Sequence, residues 1–305
     1  MQVCVIGGTG HIGKNLVQML LGEGHAVTVI TTGRTPIPNG WESVNVIQRA
    51  YRRGDAEWAT FLRDLAPEVL VDILGADAPG VYEAVKGSCQ HLLLCGSLWM
   101  FGEPRVVPTP EETQNPCGFE GYARRYEEML ATRERAQADG IAFSAVMPPN
   151  ICGPGKIPLD GRGGRSIEVH RSHQRGEPVI LPEPGQTLIS PCDAWDVAQG
   201  FFLAMGNREA AAGEIFNVGS AYALTARQFI EVYAGIYGVE IPIEWVSWEE
   251  YATRVSPDPG AHYHFKGHMC PDLTKIRTKL GYIPRYTPEE AMARAVDWMR
   301  AEGML

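Results

Sequence analysis

The chain opens on an apolar run, Val3-Cys4-Val5-Ile6, that enters glycines at positions 7, 10 and 13 and then a helix-forming stretch. Gly7 lets the chain turn sharply off a strand, Gly10 removes a Cβ so that backbone can approach a pyrophosphate, and Gly13 lets the helix press against the sheet. Phosphates in such a loop face the free N–H groups of a helix start. Ile12, Leu16, Met19 and Leu20 follow at helical spacing with one apolar face, which separates this loop from an isolated glycine triplet. The segment predicts a dinucleotide site contacted by Gly7, Thr9, Gly10, His11, Ile12 and Gly13, the alternative being a structural Gly-rich turn.

Strand and helix patterns alternate beyond it: strands 2–6, 25–31, 68–74, 91–97 and 141–147, interleaved with helices 11–22, 55–66, 79–87 and 121–139. Such alternation predicts right-handed crossovers and a parallel sheet covered on both faces. The runs VLVDIL and HLLLCG read as strands buried on both sides. After Pro148-Pro149 the sequence becomes rich in loops through residue 186, before a helix near 193–206 and a strand near 214–218. The expected fold is α/β, a Rossmann-type doubly wound parallel sheet with a smaller C-terminal substrate lobe. Residues 1–152 plus 187–220 are assigned to the dinucleotide domain, and 153–186 plus 221–305 to the lobe.

A formal charge of −9 argues against general nucleic-acid or anionic-membrane binding, since both need a basic footprint. The seven cysteines are scattered without a C-x-x-C pair, so neither a disulfide framework nor a zinc knuckle is expected. With a strand opening the chain at residue 2 and no apolar stretch near the roughly 20 residues of a membrane span, a cytoplasmic location is expected.

The Gly-x-x-Gly-x-x-Gly spacing resembles that of the short-chain dehydrogenase/reductase superfamily, in its extended, epimerase/dehydratase-like branch. Further landmarks carry the likeness: Ser97 ending a strand, Tyr122 opening a helix, Met147-Pro-Pro-Asn150-Ile-Cys-Gly-Pro-Gly155, Asp193-Ala-Trp-Asp-Val-Ala198, Glu214-Ile-Phe-Asn-Val-Gly219 and Leu280-Gly-Tyr-Ile-Pro284. The likeness runs through essentially the whole chain, strongest in residues 1–155. It implies hydride transfer at a nicotinamide, with Ser97 and Tyr122 at the reacting oxygen and Asn150 contacting substrate. A tyrosinate takes the hydroxyl proton while serine hydrogen-bonds the substrate oxygen. The family places a lysine at the fourth residue after the tyrosine, and here that residue is Tyr126. Bringing a phenol from about 10 to about 7 takes roughly 4 kcal/mol of differential stabilisation, which a neutral residue supplies poorly. Arg125, on nearly the same helical face as Tyr122, is a candidate for part of that charge. Tyr122 is thus a candidate acid/base, or with Tyr126 a residue that shapes or stacks on cofactor or substrate.

The second strand ends in Thr31-Thr32-Gly33-Arg34 with no acid to hold ribose hydroxyls. A guanidinium binds a 2′-phosphate that a carboxylate would repel, so NADP is expected, with NAD the alternative and Arg34 either its contact or a solvated residue. The basic segment 161–175 places Arg162 and Arg165 as candidates for capturing a phosphate or carboxylate, against a solvated face. His262, His264 and His268 form His-x-His-x-x-x-His, but no metal is expected without an acidic or cysteine partner.

The leading expectation is an NAD(P)-dependent oxidoreductase or epimerase/dehydratase acting on a small polar substrate, sugar-derived or anionic. A non-catalytic NADP-binding sensor or partner-binding protein is the second reading, prompted by Tyr126, and RNA binding, known among atypical relatives, a weaker third. No membrane or nucleic-acid partner is expected; a homodimer through the tyrosine-bearing helix is expected by analogy alone.

Overall fold

The computed structural model describes residues 1–51 and 53–305. The chain runs β1 (Gln2–Ile6), α1 (Gly13–Gly22), β2 (Ala26–Thr31), β3 (Asn45–Gln48), α2 (Ala56–Leu65), β4 (Val69–Asp72), α3 (Ala78–Val85), β5 (His91–Cys95), α4 (Glu120–Ala138) and β6 (Ala142–Met147). It continues through β7 (Asn150–Cys152), α5 (Ile167–Gln174), β8 (Val179–Pro182), β9 (Leu188–Ile189), β10 (Pro191–Asp193), α6 (Ala194–Gly206), α7 (Arg208–Ala211), β11 (Glu214–Asn217), β12 (Leu224–Thr225), α8 (Ala226–Tyr237) and β13 (Ile243–Val246), and ends with helices Thr274–Leu280 and Pro288–Ala301.

Seven strands form one sheet in the order β11-β6-β5-β4-β1-β2-β3, every pairing parallel. All residues of β4 and β5 are buried, as apolar strands covered on both faces must be. One face carries α1 and α6, which pack on each other; α2, α3 and α4 pack in series on the opposite face. The strand order reverses at β1 and β4, so a crevice opens beyond their carboxyl ends, between the glycine loop and the loop after Asp72. This is the doubly wound sheet expected from the alternation. The addition is β3, a half-buried edge strand.

The C-terminal lobe has its own core, where Phe229 and Tyr233 of α8 meet Met292 and Val296 of the last helix and Leu181 of β8. The Thr274–Leu280 helix departs from the expected division at residue 221. It packs Ile276 and Leu280, with Leu273 and Tyr282, into the core between the sheet and α6. All seven cysteines are free thiols. Among the described residues, no helix is long and apolar enough to cross a membrane.

Two glycines of α1 differ in what surrounds them. A Cβ at Gly13 would run into the Gly7 carbonyl oxygen and the Gly8 backbone, whereas one at Gly22 meets nothing within 4 Å. Gly13→Ala is therefore expected to destabilise by about 1–3 kcal/mol through overpacking. Gly22→Ala is expected to stabilise by about 0.5 kcal/mol through reduced unfolded-state entropy. Thermal melting of the two variants checks this, and shifts of the same sign would contradict it.

At the end of β4, the buried Asp72 accepts hydrogen bonds from the N–H groups of Leu74 (2.9 Å) and Gly75 (3.1 Å). Burial raises its carboxyl from 3.8 to about 6. The native state thus binds this proton more tightly than the unfolded chain, so the group's contribution to stability falls as pH rises from about 4 to about 6. Asp72→Asn keeps an acceptor and abolishes the titration. Its melting temperature minus that of the wild type should increase across that interval, and a constant difference would contradict the assignment.

Candidate active site

The glycine loop is held from three sides. Gly7, at φ +82°, donates its N–H to the Ile30 carbonyl of β2 at 2.9 Å. Thr9 and Thr31, both buried, join their hydroxyls at 2.7 Å, so Thr31 fastens the loop at the place where a ribose-binding acid would otherwise stand. A Cβ at Gly8 would collide with Val29, and Gly13 is seated on Gly7, as described above. Gly13 therefore works by pressing the helix onto its own loop. At Gly10 an added Cβ would find only the Gly7 oxygen, at 3.1 Å, and the residue faces a cavity of about 290 Å³. Ile12 precedes α1 with no side-chain cap on the helix end.

His11 lines this cavity too, and its Nε2 donates to the Gly153 carbonyl at 3.1 Å. Burial first, then the charge of Lys156, pushes its pKa down to about 3, so the ring is neutral. At the far end of the cavity stand Thr32, Thr35, Arg49, Tyr51 and Trp58. Arg34 is exposed and is not among the lining residues; the arginine there is Arg49, which follows β3 and lies over the Phe61 ring at 4.7 Å.

A second cavity, of about 400 Å³, adjoins the first. The two share Ile73, Leu74, Ile151 and Lys156. Ser97, Tyr122, Arg125, Asn150 and Arg165 all line it, so residues from four separate segments meet here. The Ser97 hydroxyl accepts from the Trp99 N–H at 3.3 Å and caps the turn that follows β5. Trp99 is the hub of an aromatic cluster: its ring lies 4.9 Å from Phe119, 5.5 Å from Tyr122 and 4.7 Å from His264. That cluster positions the Tyr122 ring at the start of α4.

Arg125 grips the opposite wall. Its guanidinium donates to the carbonyls of Gly75 (2.8 Å) and Leu74 (2.9 Å) and lies 5.9 Å from the Tyr122 ring centroid. Asn150 is buried, accepting from the Ser190 N–H through Oδ1 and donating through Nδ2 to His264 Nδ1 at 2.8 Å. Arg165 donates to the carbonyls of Ile157 (2.8 Å) and Ile151 (3.0 Å). Burial, with the Arg165 charge, pushes the His264 pKa down to about 3.

Besides Arg34, Tyr126 and Arg162 of the sequence-derived set lie outside both cavities. Tyr126 is buried against Phe101, rings edge to face at 5.6 Å, and lines neither cavity. Arg162 lines a separate cavity beside Arg254. Two cationic lining residues, Arg49 and Lys156, escaped the sequence reading, while His264, read there only within a histidine trio, lines the second cavity. The three C-terminal histidines do not converge, because His262 pairs with the Ser256 carbonyl, His264 with Asn150 and His268 with the Leu188 N–H. Among the described residues, no group of three potential ligands could hold a metal ion.

Comparison with known proteins agrees with this fold. The Arabidopsis thaliana protein described as chloroplast stem-loop binding protein of 41 kDa b is 26% identical over 71% of this chain; the match spans 58% of that protein's own length. A UDP-glucose 4-epimerase of Corynebacterium glutamicum is 24% identical over 94% of this chain and 92% of its own. Among solved structures, a UDP-glucose 4-epimerase from Thermotoga maritima, determined with UDP-glucose, superposes with a TM-score of 0.77 at 21% identity, covering 99% of both chains. The sequence model of the NAD dependent epimerase/dehydratase family matches residues 3–87 and 81–219, well over half of the chain. The chain belongs to the NAD dependent epimerase/dehydratase family.

Proposed function

We propose that the protein is a nicotinamide-dependent oxidoreductase or epimerase/dehydratase acting on a small, anionic, sugar-derived substrate. The observation that carries this reading is the continuity of the two cavities through Ile73, Leu74, Ile151 and Lys156, with the glycine loop in one and Ser97 and Tyr122 in the other. A bound dinucleotide would lay its diphosphate over Gly10, where the missing Cβ leaves room, and its nicotinamide would supply a hydride acceptor and donor. Thr9, Gly10, His11 and Ile12 hold the cofactor in this reading, and Tyr122 and Ser97 handle the substrate hydroxyl. Tyr122 exchanges the proton and Ser97 orients the oxygen. Arg125 is a positioning residue, because its guanidinium is committed to the 74–75 carbonyls.

Charge supports an anionic ligand pair. Arg49, Arg125, Lys156 and Arg165 line the joined cleft and, among the described residues, no carboxylate does, in a chain of net charge −9. Arg49 at the adenosine end, where no carboxylate lines the cavity and only the exposed Glu57 stands 3.9 Å away, favours NADP over NAD. The relatives named UDP-glucose 4-epimerase make a nucleoside diphosphate sugar the first substrate class to try.

The stem-loop binding in the plant relative's name finds less support. Arg171 is paired with Glu168 and Arg175 with Glu177, while Arg165 lies in the cleft, so the basic segment presents no shared phosphate-binding face. A non-catalytic sensor would bind both redox forms without turnover, and any substrate-dependent hydride transfer removes that reading.

The test follows nicotinamide absorbance with nucleoside diphosphate sugars and simpler polyols. Tyr122→Phe is expected to lose at least about 100-fold in turnover with cofactor binding intact. An unaffected Tyr122→Phe enzyme, or a chain that binds neither NAD nor NADP, would overturn the proposal.

A further inference from the structure

The loop after β7 lies across the start of α1. His11 Nε2 holds its Gly153 carbonyl at 3.1 Å, and Gly155, at φ +104°, has the Lys14 ammonium standing where a side chain would project. Lys156 comes next and, among the described residues, is the one cation that lines both cavities. The other cations of the outer cavity are tied down, Arg125 by the carbonyls of Leu74 and Gly75 and Arg165 by those of Ile151 and Ile157. Tyr126 contributes nothing to the cleft from α4. Among the described residues, no hydrogen bond or ion pair engages the Lys156 ammonium, and the residue is exposed along the cleft.

We infer that Lys156 is a cofactor-gripping cation supplied from the lobe side: its ammonium closes over the oxyanions of a dinucleotide lying along the glycine loop. This rests on the dinucleotide reading above. The titratable groups that act on Lys156 are His11 of the glycine loop, which is neutral, and Arg165 of its own loop, which is cationic; Lys14 of α1 stands at the neighbouring Gly155. An uncompensated cation among like charges is costly until an anion arrives, and a charge-assisted hydrogen bond to an oxyanion relieves it. Desolvation first, then the Arg165 charge, pushes the Lys156 pKa down to about 8, so this contact, unlike one made by arginine, switches off at mildly alkaline pH. Below about 8 the ammonium is charged and affinity is constant; above it each complex must take up a proton, and affinity declines.

The experiment is calorimetric titration of NADP and of NAD into the full chain, as wild type, Lys156→Met and Lys156→Arg, between about pH 7 and about pH 9.5. At the lower pH, Lys156→Met should bind at least about tenfold more weakly than wild type, and Lys156→Arg about as tightly. Wild-type affinity should fall above pH 8 while both variants stay flat. If Lys156→Met matches wild type in affinity and pH profile, or if Lys156→Arg keeps the wild-type decline, the inference is overturned and the dinucleotide reading stands. If wild type binds neither dinucleotide, both fall together. Should Lys156→Met fail to fold, the flat or sloping profile of Lys156→Arg decides alone.

Discussion

α1 is seated directly on the loop that precedes it, and the cleft takes its shape from that contact. Gly13 meets the Gly7 carbonyl, Gly8 meets Val29, and the Thr9 and Thr31 hydroxyls close the third side. No larger residue at these points would let helix, loop and β2 approach so closely. Gly10, His11 and Ile12 face the cavity together with Gly7 and Thr9. The opposite wall is equally fixed, with Asp72 holding residues 74 and 75 by their N–H groups and Arg125 by their carbonyls. A ligand entering between two such walls meets a preformed surface and loses little affinity to ordering it.

Within that frame the chemistry is set by an imbalance of charge. The chain is acidic, yet cations without carboxylates line the cleft, and His11 and His264 are held neutral beside them. The arrangement concentrates positive potential where the two cavities join. It also bears on Tyr122. With Tyr126 withdrawn into the core against Phe101, the cations that share the Tyr122 cavity are Arg125 from the same helix and Arg165 and Lys156 from other segments.

Much of this was legible in the sequence because buried parallel strands read as apolar runs and glycine spacing reads as backbone geometry. β1, β4, β5 and the glycine loop announce themselves in this way; Ser97 and Tyr122 came from the family resemblance, and both line the second cavity. β3 does not, since Asn45-Val-Ile-Gln48 is a short edge strand with half-buried side chains and no apolar run. Arg49 was hidden along with it: ligands gather at strand carboxyl ends, and an unrecognised strand has no recognised end. Charge density misled in the lobe. The stretch 161–175 stands out, but Arg171 and Arg175 are satisfied by nearby glutamates and Arg162 faces another cavity. Lys156 sits outside that stretch, just behind the Gly-Pro-Gly turn, and only the three-dimensional crossing of its loop over α1 brings it to the seam.

The most direct test of the central claim, that one continuous cleft receives a dinucleotide from the glycine loop to Tyr122, is a crystal structure of the chain grown with NADP. The account predicts diphosphate density against Gly10–Ile12 and the nicotinamide ring in the cavity of Ser97 and Tyr122. Cofactor density elsewhere, or a nicotinamide turned away from Tyr122 in a fully occupied site, would contradict it.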